Sequence, residues 1–298
     1  MSSVPVRASS EDRLSSPAHS RVRAVEHIRR MRGGAQSHLM RCSDGNYYVV
    51  KFQNNPQHRR ILVNELLGTR LAEKMGLPTT PTAIVHVSGR LIDMTDELVM
   101  ELPRYRVPCS PGLQFGSRYY GNPKDDKPRA SIPRYELPYV NNVSTFVGMV
   151  IFDKWVCNTD GRQFLFLRGR SGRYSMVGID QGFCFNQGEW NFPDAPMWGF
   201  YFDKAVYRHV RSMDDFEPWL SRIETEFSMD TLLDAAKDIP PEWYDHNDGA
   251  FIQLLEKLNR RRTKIRELLR EWCPKLPLIF PHWGDPQRYC TSSVAAAD

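Results

Sequence analysis

Between residues 31 and 52 the chain reads MRGGAQSHLMRCSDGNYYVVKF: a glycine pair, a strand-like stretch, the turn Asp44-Gly45 and a second strand, which together predict a hairpin. The period then changes from two to about 3.6. In RILVNELLGTRLAEKMGLP the residues Val63, Leu67, Leu71 and Met75 recur four apart, and Gly-Leu-Pro at 76–78 ends the run, so a helix is predicted. A strand follows over 82–87 (TAIVHV), whereas 88–143 is rich in Pro and Gly and yields one extended piece, 113–120. A helix over roughly 144–157 is apolar nearly all round, as an interior helix is, and Asp153 and Lys154 close its most apolar stretch. Two short strands, 164–168 and 174–180, flank the turn GRSG. From about 200 to 273 the pattern is helical, with Ile252, Leu255, Leu258, Ile265, Leu268 and Leu269 supplying one core face. A strand-rich first third and a helical last half built around a hairpin predict an α+β fold of two unequal lobes, 21–120 and 121–284. The tails 1–20 and 285–298, small and polar without period, are expected to be disordered.

Composition narrows the function classes. With 298 residues, 41% hydrophobic and 25% charged, the chain can bury a sizeable core, and it holds no apolar run of the ~18 residues that a membrane span needs. The net charge of +5 is concentrated at two places: residues 1–34 carry +4 and 257–275 carry +6, so the rest is negative and a nucleic-acid partner is not expected. The basic stretch 257–275 is read as a solvated helix face. Six scattered cysteines without a CxxC pair, and an N-terminus without an apolar signal segment, predict reduced thiols and a cytoplasmic protein with no membrane attachment. His246, His282, Cys273 and Cys290 have no metal-site spacing, and GxSxG, HExxH and GxxxxGK[ST] are absent.

The chemistry-bearing residues lie in FDKWVCNTDGRQFLF (152–166) and VGIDQGFCF (177–185). A polar cluster, Asn158 to Gln163, ends a buried helix, and one hairpin later Asp180 ends a strand; the hairpin brings its own ends together. Two carboxylates and two amides facing one cavity suit phosphoryl transfer, in which one carboxylate orients the nucleophile's proton and another holds Mg²⁺. Singly, Asp160 reads equally well as a capping residue and Asp180 as a strand-end turn. Lys51 lies in the apolar strand YYVVKF and requires an anionic partner or an escape to solvent; Glu65, at the edge of the apolar stripe of the next helix, is the candidate. Gly33 and Gly34 allow backbone amides to approach phosphate, or form an ordinary loop.

Taken as a series, the glycine-containing hairpin, Lys51, Glu65, Asn158-x-Asp160 and Asp180 resemble the protein-kinase-like fold. The wording NTDG followed by IDQGFCF resembles the HipA-like kinase family, and more distantly the type II phosphatidylinositol 4-kinases. The resemblance spans about 30–273 and implies a two-lobed, ATP-dependent phosphotransferase, many relatives of which act on protein serine or threonine. It assigns Lys51 to the ATP phosphates, Glu65 to holding Lys51, Asp160 to the role of catalytic base, Asp180 to Mg²⁺, and 115–119 to the hinge near adenine. One departure stands out: the family places an Asn five residues after the catalytic Asp, where this chain has Leu165 in a loop two residues shorter. Gln163 is the nearby amide that remains for the metal, and Arg162 reads either as a phosphate contact or as an exposed loop residue. A pseudokinase scaffold and a kinase of a lipid or small-molecule acceptor are the rival readings. Some relatives pair with a DNA-binding antitoxin. Trp190, Phe192 and Trp198 either shape a substrate ledge or pack.

Overall fold

The computed structural model describes residues 20–123 and 128–285; apart from Ser20 and Asp285, the two expected tails lie outside them. Strands β1 (Ser20–Arg30), β2 (His38–Cys42) and β3 (Tyr47–Lys51) form an antiparallel meander. Helix α1 (Ile61–Lys74) and strand β4 (Thr82–Val87) follow, then a short α2 (Gly89–Asp93), a small hairpin of β5 (Val99–Glu101) and β6 (Arg106–Pro108), and β7 (Gly112–Arg118). Strand β7 runs antiparallel between β3 and β4, and β1 pairs in parallel with β4, so the order β1-β2-β3-β7-β4 closes into a barrel. Met40, Val50, Phe52 and Val85 fill one apolar cluster there.

Strand β1 is absent from the sequence prediction. Its alternation is interrupted by register shifts between Ala24 and Glu26 and between His27 and Arg29, so no clean period of two survives along it. The unassigned stretch 88–143 likewise contains α2 and the β5-β6 hairpin, each too short to carry a period.

The rest of the chain contributes α3 (Thr145–Trp155), the hairpin β8 (Gln163–Arg168) and β9 (Tyr174–Ile179), then α4 (Trp219–Glu226), α5 (Met229–Ala236), α6 (Asp248–Arg261) and α7 (Ile265–Trp272). The continuous helical pattern over 251–272 resolves into two helices, separated at Arg262, Thr263 and Lys264. Nor is the basic stretch simply a solvated face. Arg266 pairs with Glu217 and Glu224 at 2.8 and 2.9 Å, and buried Arg261 donates to the Lys154 carbonyl at 3.1 Å and to Asp194 at 2.9 Å. Among the described residues no helix is long and apolar enough to cross a membrane.

Helix α1 positions the site. From Ile61 to Ala72 every residue is buried, so Glu65 sits inside and not at the edge of a stripe. The helix shares the larger apolar cluster with α3, β8 and the C-terminal helices. Polar side chains on its buried faces are paid for by specific partners: Asn64 Nδ2 donates to the carbonyls of Gly182, Cys184 and Gln187 at 2.7–2.9 Å, and Arg70 donates to the carbonyl of Ala235 at 2.9 Å. Two glycines permit the approach. A Cβ at Gly68 would lie 2.9 Å from the Gln181 Cβ, and one at Gly182 would lie 2.9 Å from Ile61 and 3.2 Å from Glu65 Oε1. The segment after β9 therefore lies directly on α1.

Candidate active site

Lys51 ends β3, paired with Phe115 of β7. Its ammonium donates to Glu65 Oε1 and, at 2.8 Å, to Asp180 Oδ1, which satisfies the requirement that a lysine in an apolar strand find anionic partners. Glu65 Oε2 in turn accepts the Gln181 backbone N–H at 3.0 Å, so α1 and the end of β9 are joined through one carboxylate. Asp180 adopts φ = +60°, a left-handed conformation uncommon for a non-glycine residue, which turns the chain just past β9. Burial opposes ionisation of all three groups. For Lys51 the attraction of Asp180 and then Glu65 outweighs it and raises the pKa; for Asp180 the charge and hydrogen bond of Lys51 outweigh it and hold the carboxyl low; for Glu65 burial prevails and raises it.

These side chains line a cleft of about 650 Å³ together with Gln163 and with Phe115, Ser117 and Tyr119 of the expected hinge piece. The antiparallel register of Gln163 with Ile179 brings the Gln163 amide to Asp180, Nε2 to Oδ2, at 3.2 Å. Gly33 and Gly34 do not line the cleft: both are exposed at the β1-β2 connection, and the flanking Met31, Arg32 and Ser37 reach it instead. Sequence reasoning missed Arg29, Arg30 and Arg32, which add positive charge to the cleft wall. Three arginines in four positions at the end of a strand were the available signal.

Asp160 lies beside a second cavity of about 460 Å³, and Gln163 lines both. The two carboxylates thus do not face one cavity, as the sequence predicts, but adjoining ones. The reason is the path of the loop: the Asp160 backbone N–H donates to Asn158 Oδ1 at 3.1 Å, its carbonyl accepts Gly199 N–H at 3.0 Å, and its carboxylate accepts Gly161 N–H at 2.7 Å. Asn158 is buried and turns away, donating to Asp153 Oδ1 at 3.0 Å.

Arg162 is neither a phosphate contact nor an exposed loop residue. Its guanidinium lies with Asp153 of α3 in a fully buried pair, Nε donating to Oδ2 at 2.9 Å and Nη2 to Oδ1, while Nη1 donates to the Ile179 carbonyl at 2.9 Å. This one side chain ties the loop carrying Asp160 to α3 and to the end of β9, immediately before Asp180. Leu165 stands within β8, paired with Val177, and lines the cleft with an apolar side chain where the resemblance places an amide.

Of the three aromatic residues left open in the sequence, two pack: Trp190 is buried and donates to Asn64 Oδ1 at 2.9 Å, and Phe192 packs against the larger core. Trp198 is half exposed, beside the second cavity. The segment around it is held by Lys154, the charged residue that follows Asp153. Lys154 Nζ donates to the carbonyls of Pro196, at 2.7 Å, and Trp198, and stands 4.1 Å from the Phe200 ring. Burial pushes this ammonium down to about 7, against the pull of Asp153. Its pKa is lower folded than unfolded, so from pH ~7 to ~10 the unfolded chain binds the extra proton and stability rises with pH. Denaturant titrations at several pH values are therefore expected to show the wild type gaining on Lys154→Met across that window; a pH-independent difference would place the ammonium's pKa elsewhere.

The HipA-like kinase profile matches residues 24–273. No curated protein matches the chain. Among solved structures, it is similar to the Helicobacter pylori proinflammatory kinase CtkA (13% identity, 87% of this chain and 100% of that one, TM-score 0.49). It is also similar to the Golgi casein kinase with Mn/ADP bound (12% identity, 84% and 72%, TM-score 0.48). The family match covers the barrel, α1, both cavities and the C-terminal helices, and the chain accordingly belongs to the HipA-like kinases, a family of phosphotransferases.

Proposed function

We propose that this kinase transfers the γ-phosphoryl group of ATP, with Mg²⁺, to a serine or threonine hydroxyl of a protein. The observation that carries this reading is the Lys51 ammonium shared between Glu65 and Asp180 at the floor of the cleft. Lys51, kept charged by its partners, faces the phosphates; Glu65 positions it; Asp180 and Gln163 stand where a cation is needed. Residues 21–120 then serve as a nucleotide-binding lobe and 121–284 as the catalytic one. Asp180 and, with its amide turned, the Gln163 oxygen are hard oxygen donors of the kind Mg²⁺ takes, and among the described residues no group of three His, Cys, Asp or Glu gathers to replace phosphate and water as its other ligands. When bound, Mg²⁺ neutralises charge on the phosphates.

In the step, the acceptor oxygen bonds to the γ-phosphorus while the bond from that phosphorus to the β–γ bridging oxygen breaks, the electron pair leaving on ADP. The acceptor proton passes to Asp160, whose cavity adjoins the cleft at Gln163. Lys51 stabilises the negative charge that shifts toward the leaving group. Leu165, in place of a second amide, favours one rival reading, a nucleotide-binding pseudokinase.

Thermal melting with ATP and Mg²⁺ or Mn²⁺, beside label transfer from γ-labelled ATP, separates the two. At 100-fold over Kd the nucleotide stabilises the fold by about 2.7 kcal/mol, and both the metal-dependent shift and the label are expected to vanish in Asp180→Ala. A shift with no label on any acceptor supports the pseudokinase; no shift removes the nucleotide site.

A further inference from the structure

The second cavity is bounded on one side by the loop Asp160 to Gln163 and on the other by Met197 to Phe200 and Phe202. Three large apolar side chains there are turned to solvent: Met197 is 59% exposed, Trp198 50% and Phe202 67%. Such a cluster costs solvation free energy unless something covers it. The surface is also built, not loose. Lys154 holds the carbonyls of Pro196 and Trp198, Gly199 N–H donates to the Asp160 carbonyl at 3.0 Å, and Arg162 N–H donates to the Phe200 carbonyl at 3.0 Å. Gly199, at φ = +75°, is required at the crossing, where a Cβ would meet the Asp153 Cβ at 2.6 Å. The backbone that carries the aromatic side chains is thereby fixed to the backbone that carries Asp160.

We infer that this cavity receives the stretch of polypeptide next to the acceptor hydroxyl and selects a bulky apolar side chain there. The inference deepens the proposed function and rests on it, since Asp160 is the group to which that hydroxyl must be presented. Charge decides between a polypeptide and an anionic lipid headgroup. The cationic side chains lining the cavity are both engaged: Arg162 is buried against Asp153, and Lys204 donates to the Tyr201 carbonyl at 2.6 Å and lies 5.3 Å from the Phe200 ring. A headgroup phosphate would meet a single ammonium, that of Lys204, turned to a carbonyl and a ring, and would leave the apolar surface uncovered, whereas a leucine or phenylalanine side chain would cover Trp198 and Phe202.

The test measures label transfer from γ-labelled ATP to serine and threonine peptides that differ only in the residues flanking the hydroxyl. Peptides flanked by Leu, Phe or Trp are expected to exceed those flanked by Asp, Glu or Lys by roughly tenfold or more in kcat/KM, mainly through KM, as burial of one large apolar side chain implies. Trp198→Ala and Phe202→Ala, both at exposed positions, should raise KM for the apolar-flanked peptides and abolish the preference. Tyr135→Ala, an exposed aromatic outside the cavity, should do neither. Active transfer with a preference for charged flanks, or one indifferent to Trp198 and Phe202, overturns the inference and leaves the kinase intact. Label entering inositol-lipid vesicles in place of peptides also overturns it. If ATP binds but neither peptides, lipids nor the protein itself take label, the kinase reading falls and the inference with it.

Discussion

Asp160→Asn is expected to lower the rate of phosphoryl transfer by about 10²–10⁴-fold, the usual worth of a positioned general base, while ATP and Mg²⁺ still raise the melting temperature. The separation follows from the two cavities. Asp160 lines the adjoining cavity and not the cleft with Lys51 and Asp180, so nucleotide affinity is expected to survive its replacement. Asn is the informative replacement because it keeps an acceptor for the Gly161 N–H at 2.7 Å and so preserves the loop, while removing the group that takes the proton. Asp180→Ala should fail differently, losing the metal-dependent shift as well as the transfer. Single-turnover transfer in Asp160→Asn within tenfold of wild type would strip Asp160 of the base role.

The second large effect concerns stability. Asp153→Ala leaves the Arg162 guanidinium without its carboxylate in an environment where both side chains have no solvent exposure. Breaking a buried pair from one side costs about 3–5 kcal/mol, because the remaining charge is uncompensated, and at this chain length that lowers the melting temperature by roughly 5–8 °C. The double replacement Asp153→Leu with Arg162→Met removes both charges and should recover a large part of the loss. Chemical denaturation of these two variants beside wild type checks this; Asp153→Ala within about 1 kcal/mol of wild type would mean that water reaches the pair. Recovery of stability need not bring back activity, since the Asp160 loop is held to α3 and to the Ile179 carbonyl through Arg162.

Much of the cleft was legible in the chain because each of its parts sits on a short element with a clear period. A lysine in a five-residue apolar strand needs a partner, the helix that follows supplies Glu65, and a hairpin with a tight turn returns Asp180 to Gln163. Arg162 was not legible. Its partner is nine residues earlier near the end of a helix, and in the polar run NTDGRQ nothing marks it as interior; Asp153 likewise reads, with Lys154, as the close of an apolar stretch. The complete burial of α1 was hidden for a related reason. A period of four reveals one apolar face, but Asn64, Glu65 and Arg70 are buried only because the barrel side, the segment after β9 and α5 all close on the helix. The separation of Asp160 from Asp180 depends on Gly199 and on which way Asn158 turns, and neither is written in local pattern.

The closure of the barrel bears on how an acceptor chain is read. Strand β1 pairs with β4 over Ser20–Arg23 and with β2 from Ala24 to Arg30, and the free side of that second stretch faces a groove walled by α2 and β5 that shares no lining residue with the Asp160 cavity. Main-chain ladder bonds, which hold any sequence alike, are thus not offered by the barrel beside Asp160. If the acceptor is the protein hydroxyl proposed above, discrimination falls to side chains meeting side chains, and a kinase that recognises its targets in this way is choosy about a few positions and indifferent to the rest.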